Sequence, residues 1–274
     1  MKKTIFILLF LIIVVAIIFF LTVEPKKDTS NTNISETEVT NINTNSNSNV
    51  NITNIETTDV VRWDNFGEGY IPSSTPPECP DPLVLQTPVD LNKVYSILYP
   101  GQERGGDFKP HGGFRFADGT DDEIRVTIPM DARLLEGVRY YENDYLQYMF
   151  SFINNCGIMY RFDHLATLSE ELEEIVSELP EPKVDDTRTY HFLENYEYNS
   201  GDVIATTVGE GDNVFVDWGV YDLRQKNGVN IDQFDSLAEY GICWFDLLPT
   251  EDETIVRSLP AGDSTSGANS KYCL

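Results

Sequence analysis

The sequence predicts a mainly β protein: an antiparallel β-sheet or sandwich with one or two short helices, preceded by a single transmembrane helix. Three observations support this prediction. Short runs of β-forming residues follow one another from about residue 124, helical spacing occurs in only two segments, and residues 4–23 form an uncharged apolar run. With 274 residues, 41% of them hydrophobic and 12% aromatic, the chain can bury a sizeable core.

The apolar run from Thr4 to Val23 reads TIFILLFLIIVVAIIFFLTV. About 20 helical residues span the roughly 30 Å hydrocarbon layer of a bilayer. Signal peptides have a shorter apolar core of about 7–15 residues. We therefore expect a retained anchor, with residues 1–3 as a short cytoplasmic end and the rest of the chain outside the cytoplasm. A cleaved signal and a secreted domain are the alternative, and the basic residues on both sides of the run do not settle its orientation.

Three segments follow the anchor. Residues 24–59 are rich in Asn, Thr and Ser and contain no aromatic residue, which predicts a disordered linker. Residues 60–87 form a Pro-rich lead-in that includes PSSTPPECPDP. Residues 88–274 form the β-rich domain, in which 228–274 are a C-terminal extension.

The charge of the chain excludes nucleic acid as a partner. Four of its 19 basic residues and one of its 45 acidic residues precede Asp28, so residues 28–274 contain 15 Lys and Arg against 44 Asp and Glu, a formal charge of −29. Nucleic acid and anionic headgroups would be repelled. The predicted contact with the membrane is therefore the N-terminal helix alone.

Four cysteines, Cys79, Cys156, Cys243 and Cys273, predict two disulfides in an exported domain. Three connectivities are possible. We favour Cys243 with Cys273, because both lie in the C-terminal region, and hence Cys79 with Cys156. No C-x-x-C spacing occurs, which argues against a redox motif or a cysteine zinc site.

Strand patterns occupy most of the second half of the chain. The runs are IRVTIPM (124–130), ARLLEGVRYY (132–141), YLQYMFSFI (145–153), IMYRFDHL (158–165), DVIATTVG (202–209) and NVFVDWGVYDL (213–223). The turn-forming residues 154–157 predict a hairpin between the third and fourth runs. In the last run, period two places Val214, Val216, Trp218 and Val220 on one face and Phe215, Asp217, Gly219 and Tyr221 on the other.

Helical spacing occurs between Leu168 and Leu179, where apolar residues recur at intervals of three and four. Thr167 with Glu170 forms a candidate capping box at its start. Residues 250–259 form a second candidate, which begins after a proline and has three acidic residues in its first turn.

Histidines are the scarcest candidates for chemistry, because the chain has only three of them: His111, His164 and His191. His111 lies in KPHGGFRFADGT, between a proline and two glycines, where the backbone can bend sharply. His164 lies near the end of a predicted strand, and His191 could not be placed. A hydrogen-bonded structural role is the alternative for each, and H-E-x-x-H, G-x-S-x-G, Walker and dinucleotide motifs are absent from the sequence.

The order of features over residues 88–227 resembles the lysostaphin-type zinc endopeptidases, which cleave peptidoglycan. The segments that carry the resemblance are TPVDLNKVYSILYPGQERGGDFKPHGGFRFADGT, VTIPMDARLLEG, YMFSFINNCGIMYRFDHL, NSGDVIATTVGEGDN and VFVDWGVYDLRQKNG. The resemblance implies a fold of the duplicated-hybrid-motif type. In that family an H-x-x-x-D pair and the second histidine of H-x-H bind zinc, and an H-L histidine assists catalysis.

By position, the resemblance implies a degenerate site. His111 keeps the first ligand and His164 the H-L histidine, as a remnant of the catalytic set, but Arg115 replaces the aspartate and Phe215 and Asp217 replace H-x-H. A guanidinium cannot donate a lone pair to zinc, so we expect no metal. A weak zinc site of His111 and Asp217 is the alternative. We also predict that Arg115 and Asp217 form an ion pair where zinc would be; independent exposure of both is the alternative.

The predicted function is therefore that of a membrane-anchored cell-envelope protein whose peptidase-like domain is non-catalytic and binds peptidoglycan or an envelope partner. The predicted groove comprises His111, Arg115, His164, Phe215 and Asp217. Aromatic residues in the strands are further candidates for this surface, although strand aromatics more often pack in the core: Tyr140, Tyr141, Tyr145, Tyr148 and Trp218. The alternatives are an active zinc endopeptidase with an altered site and a purely structural envelope domain.

Overall fold

The computed structural model describes residues 60–67, 69–117, 123–230, 237–262 and 267–273. All of them belong to one of the two units into which the chain divides, Thr57–Leu274. The predicted anchor (4–23) and linker (24–59) lie outside the described residues. Within the described part, no helix is long and apolar enough to cross a bilayer.

Strands dominate the described residues, and the helices are short. The strands are β1 (Trp63–Asn65), β2 (Tyr70–Pro72), β3 (Val94–Leu98), β4 (Gln102–Arg104), β5 (Asp107–Lys109), β6 (Gly112–Phe116), β7 (Val126–Thr127), β8 (Ala132–Glu142), β9 (Tyr145–Ile153), β10 (Ile158–Leu168), β11 (Lys183–Val184), β12 (Tyr190–His191), β13 (Glu197–Tyr198), β14 (Val203–Val208) and β15 (Phe215–Asp222). The α-helices are α1 (Glu170–Ile175) and α2 (Thr250–Ser258). Single 3₁₀ turns occupy Leu91–Lys93, Val176–Glu178, Ala238–Tyr240 and Trp244–Leu247. The predictions of a mainly β protein and of two short helices are confirmed.

One large sheet organises the domain. Across the described residues it has eleven strands, in the order β11–β8–β9–β10–β15–β6–β3, with β12 and β13 also paired to β8 and β14 paired to β10 and β7. The pairing is antiparallel throughout except between β11 and β8. The predicted hairpin is β9–β10, which turns at residues 154–157. The strand predicted over 124–130 is shorter than expected, because only β7 pairs, with β14.

The two faces of the sheet have different roles, and β15 shows the division. Val216, Trp218 and Val220 are fully buried in the main core, as period two predicts. On the opposite face, Phe215 and Asp217 line an open cleft. Trp218 lies at the centre of the core, where it contacts the rings of Phe114, Phe162 and Trp244.

The first helix begins later than the sequence predicts. Thr167 is part of β10, where its backbone N–H donates to Thr207 Oγ1, so the proposed capping box of Thr167 and Glu170 is wrong. Ser169 caps α1 instead, accepting from the N–H of Leu172. Pairing with β14 holds the chain extended through Leu168, and this pairing outweighs the local capping signal. The second predicted helix is confirmed as α2.

Both flanking segments belong to the folded domain. The Pro-rich segment 60–87 contains the β1–β2 hairpin and buries Trp63 and Leu85. In the C-terminal extension, Trp244 and Phe245 are fully buried in the main core. The favoured disulfide pairing is confirmed, because Cys79 is bonded to Cys156 and Cys243 to Cys273.

Candidate functional site

A cleft of about 740 Å³ lies on the sheet face opposite the main core. The residues that the sequence singled out, although distant in the chain, all line it: His111, Arg115, His164, Phe215 and Asp217. Its other lining side chains include Arg104, Lys109, Glu142, Met149, Arg161, Asp163, Thr187 and Tyr221. The strand order explains this convergence, because β6, β15 and β10 are consecutive neighbours in the sheet. That the cleft binds a ligand stays a prediction.

Asp217 lies at the centre of the site because of its register. It is opposite Gly113 of β6 on one side and Asp163 of β10 on the other. A Cβ at Gly113 would lie 2.5 Å from the carbonyl oxygen of Val216 and 2.9 Å from Oδ1 of Asp217. Glycine at this position therefore lets the two backbones approach closely and leaves room for the carboxylate.

The Asp217 carboxylate bridges two histidines. Its Oδ2 is 3.0 Å from Nε2 of His111 and 3.6 Å from Nε2 of His164. Burial acts to raise the pKa of Asp217, but the charge and hydrogen bonds of the two imidazoles outweigh it and hold that pKa well below its usual value. Asp217 is therefore an anion that is 8% exposed, and its Oδ1 is buried without a hydrogen-bond partner among the described residues.

His164 is held by carboxylates at both of its ring nitrogens. Nδ1 is 3.1 Å from Oε2 of Glu142 and 2.7 Å from Oε1 of Gln147, while Nε2 faces Asp217. A carboxylate only accepts hydrogen bonds, so acceptors at both nitrogens favour the protonated form of the ring. The pKa of His164 is consistent with this. Burial acts to lower that pKa, but the charges and hydrogen bonds of Asp163, Asp217 and Glu142 raise it well above 6.5.

The backbone at His164 is unusual. Its φ is 63°, in the left-handed region that non-glycine residues seldom adopt, and the β9–β10 register shifts between Phe162 and Leu165. The N–H of His164 donates to Oδ1 of Asp163, and its carbonyl accepts from the N–H of Gly209. This bulge turns the imidazole toward the cleft.

Tyr140 and Glu142 complete the polar network. The Tyr140 hydroxyl donates to Oδ1 of Asp163 at 2.6 Å, and burial together with the Asp163 charge raises the pKa of Tyr140 far above 10. The hydrogen bond from His164 lowers the pKa of Glu142. The network thus holds three carboxylates, one imidazole and a neutral phenol on β8, β10 and β15, beside the cleft.

Arg115 does not pair with Asp217, so the predicted ion pair is wrong. Its Nη2 donates to Oδ1 of Asn213 at 2.8 Å, its Nε donates to the Tyr95 hydroxyl at 3.4 Å, and the guanidinium carbon is 5.5 Å from the centre of the Phe215 ring. The prediction assumed that the Arg115 side chain ends where the family's aspartate side chain would end. The longer arginine side chain instead reaches Asn213 and Tyr95. Asp217 pairs with the two histidines instead.

The side chains do not fit the zinc site that the resemblance implies. Arg115 stands where the family has a zinc-binding aspartate, and its guanidinium has no lone pair to donate. Phe215 replaces the first histidine of the family's H-x-H motif, and the centre of its ring lies 4.2 Å from the centre of the His164 ring. Among the described residues, no three His, Cys, Asp or Glu side chains are arranged to hold a metal ion. The absence of zinc from the protein stays a prediction.

Sequence analysis missed two charged residues of β10 that line the cleft, Arg161 and Asp163. Arg161 donates to Oε1 of Glu136 at 2.9 Å and to Oγ of Ser151 at 3.0 Å. The signal was present, because period two places Arg161 and Asp163 on one face of β10, opposite Tyr160 and Phe162. No sequence pattern indicated that Glu136, 25 residues away, would be the partner of Arg161.

None of the remaining candidates is among the residues that line the cleft. His191 is in β12, with Nε2 3.7 Å from Oε2 of Glu136 and a side chain that is 71% exposed. Trp218 is part of the core, so it forms no binding surface, and Tyr140 and Tyr148 are also buried. Tyr141 and Tyr145 are exposed at the turn of the β8–β9 hairpin.

Comparison with known proteins adds little to this site. No protein-family model and no curated protein matches the chain. Among solved structures, Csd3 of Helicobacter pylori in its orthorhombic crystal is similar, with a TM-score of 0.32 and 14% identity. The match covers 69% of this chain and 43% of that one, so the chain spans less than half of its length. A similarity of this size carries no argument about ligand or activity.

Proposed function

We propose that this chain is a membrane-anchored cell-envelope protein whose peptidase-like domain is non-catalytic and binds a peptide of the cell wall or of an envelope partner in the cleft. The observation that carries the proposal is the mutual pairing of His111, Asp217 and His164. Groups that would otherwise bind a metal or move protons bind each other. A cleft of about 740 Å³ remains open beside them, within the range of typical ligand sites.

The chemistry of the site favours binding over hydrolysis. Water activation without a metal needs a general base with a pKa near neutrality. Pairing with the imidazoles lowers the pKa of Asp217, and pairing with carboxylates raises that of His164, so each is engaged by the other rather than free to activate water. The network is instead a fixed set of charges and hydrogen-bonding groups, which suits recognition of a polar ligand.

The location is also a proposal. Residues 4–23 would hold the chain in the membrane, and the asparagine-rich linker would carry the domain away from it. Two disulfides among the described residues support a site outside the reducing cytoplasm.

Retention of the full-length chain, purified in detergent without added zinc, on isolated peptidoglycan sacculi tests the proposal. Thr187→Trp would place a large ring at the rim of the cleft and should abolish retention. Thr254→Trp, exposed on α2 and absent from the cleft lining, is the matched control and should be retained like the wild type.

Equal retention of both tryptophan variants would overturn the role of the cleft. No retention of the wild type at moderate salt would favour a purely structural domain. Stoichiometric zinc in the purified protein, lost on His111→Ala and accompanied by release of wall peptides, would show an active endopeptidase instead.

A further inference from the structure

The cleft differs in charge from the rest of the chain. The whole sequence has 19 basic and 45 acidic residues. The cleft lining has four basic residues, Arg104, Lys109, Arg115 and Arg161, against three acidic ones. Basic residues thus outnumber acidic ones in the lining, whereas acidic residues dominate the chain, so the cleft repels an anionic group less than the rest of the protein does.

The three acidic groups of the cleft are already engaged. Glu142 contacts His164, Asp217 contacts both His111 and His164, and Asp163 accepts from the Tyr140 hydroxyl. They offer little to an incoming cation. The group left for a ligand must therefore be sought among the basic residues.

No carboxylate among the described residues compensates the charge of Arg115. Its two hydrogen bonds go to the neutral side chains of Asn213 and Tyr95, and no carboxylate among the described residues pairs with it. Lys109 and Arg161, in contrast, pair with Asp107 and Glu136. Arg115 thus keeps a full positive charge available to the cleft.

The guanidinium of Arg115 is also held in position. Two acceptors fix Nη2 and Nε, and the Phe215 ring lies 5.5 Å from its central carbon. Its Nη1 has no partner among the described residues and is not a buried unpaired atom, so it reaches solvent. A ligand would meet a pre-ordered donor and would lose little side-chain entropy on binding.

We propose that Arg115 is a carboxylate-binding residue, and that the cleft takes a peptide through a free carboxyl group of that peptide. A carboxylate fits better than a phosphate, because a dianion would be repelled by Asp217 and Glu142 in the same cleft. This inference rests on the proposed peptide-binding function and names the group that is recognised.

The test compares N-acetyl-trialanine, which has a free carboxylate, with its C-terminal amide. Affinity for the full-length chain in detergent is measured by saturation-transfer NMR titration. One charge-assisted hydrogen bond predicts about tenfold tighter binding of the free acid. Arg115→Gln should reduce the acid to the affinity of the amide, and Arg115→Lys should restore part of the preference.

The matched control is Arg125→Gln, which removes an exposed arginine that pairs with Glu123 outside the cleft. It should leave the tenfold preference unchanged. Loss of fold cannot mimic the expected result, because a misfolded variant would lose the amide as well as the acid.

Equal affinity of the acid and the amide for the wild type would overturn the role of Arg115, as would a preference that survives Arg115→Gln. Absence of binding by both peptides would also overturn it. Retention on sacculi is measured separately, so the wider proposal of wall binding can stand or fall by itself.

Discussion

Replacement of Asp217 by asparagine should destabilise the domain strongly, because it removes the anion on which two histidines converge. With an effective dielectric constant of about 20, unit charges at the 3.6 Å that separates Asp217 Oδ2 from His164 Nε2 attract by about 5 kcal/mol. Part of this is offset by the cost of burying both charges. Breaking a buried pair typically costs about 3–5 kcal/mol, and we expect a loss in this range.

The loss should depend on pH with a definite sign. Since the folded pKa of His164 lies above its unfolded value of 6.5, the stability from its protonation is complete below that pH and fades as pH rises through the folded pKa. The Asp217 carboxylate stays charged well below pH 3.8. The penalty of Asp217→Asn should therefore be largest near about pH 5 and smaller in alkaline solution.

Urea unfolding of the full-length chain at several pH values, followed by tryptophan fluorescence, measures this loss. Asp246→Asn is the matched control: Asp246 pairs with Arg257 but its side chain is 61% exposed, so its loss should cost less than about 1 kcal/mol. A penalty at Asp217 no larger than that of the control, or one that grows with pH, would refute the proposed charge network.

Three further changes test the fold around the site. Gly113→Ala places a methyl group 2.5 Å from the Val216 carbonyl, so it should destabilise the domain by several kcal/mol in urea unfolding; stability equal to the wild type would contradict the close approach of β6 and β15. Trp244→Ala should cost about 3–5 kcal/mol, because the indole is fully buried against the core, and a smaller loss would show that the C-terminal extension is dispensable. Replacing both Cys79 and Cys156 by serine opens a loop of 77 residues and should cost about 4–5 kcal/mol in the same assay, and a cost near zero would contradict this bond.

The fold was predictable where the local sequence pattern agreed with the tertiary environment of the segment. Alternation in residues 213–223 identified both the strand and its two faces, because a strand that separates a core from a cleft must alternate. The start of α1 was not predictable from its capping signal. Thr167 satisfies a capping pattern, but the partner that keeps it extended, Thr207, lies 40 residues away.

The members of the site were predictable, but their pairing was not. Spacing and resemblance singled out residues that converge on one cleft, because neighbouring strands bring their side chains together. The choice of partner for each charged side chain depends on side-chain length and on neighbouring residues that belong to no recognisable motif. Asn213 and Tyr95 draw Arg115 away from Asp217, and Glu142 supplies the second carboxylate for His164.

This pairing offers the acidic cluster a source of stability other than a bound cation. Asp163, Asp217 and Glu142 lie around one buried imidazole, and three carboxylates in such proximity would repel one another strongly. A metal ion would offset that repulsion. Protonation of His164 offsets it as well, because the positive charge of the ring lies between carboxylates that face its two nitrogens.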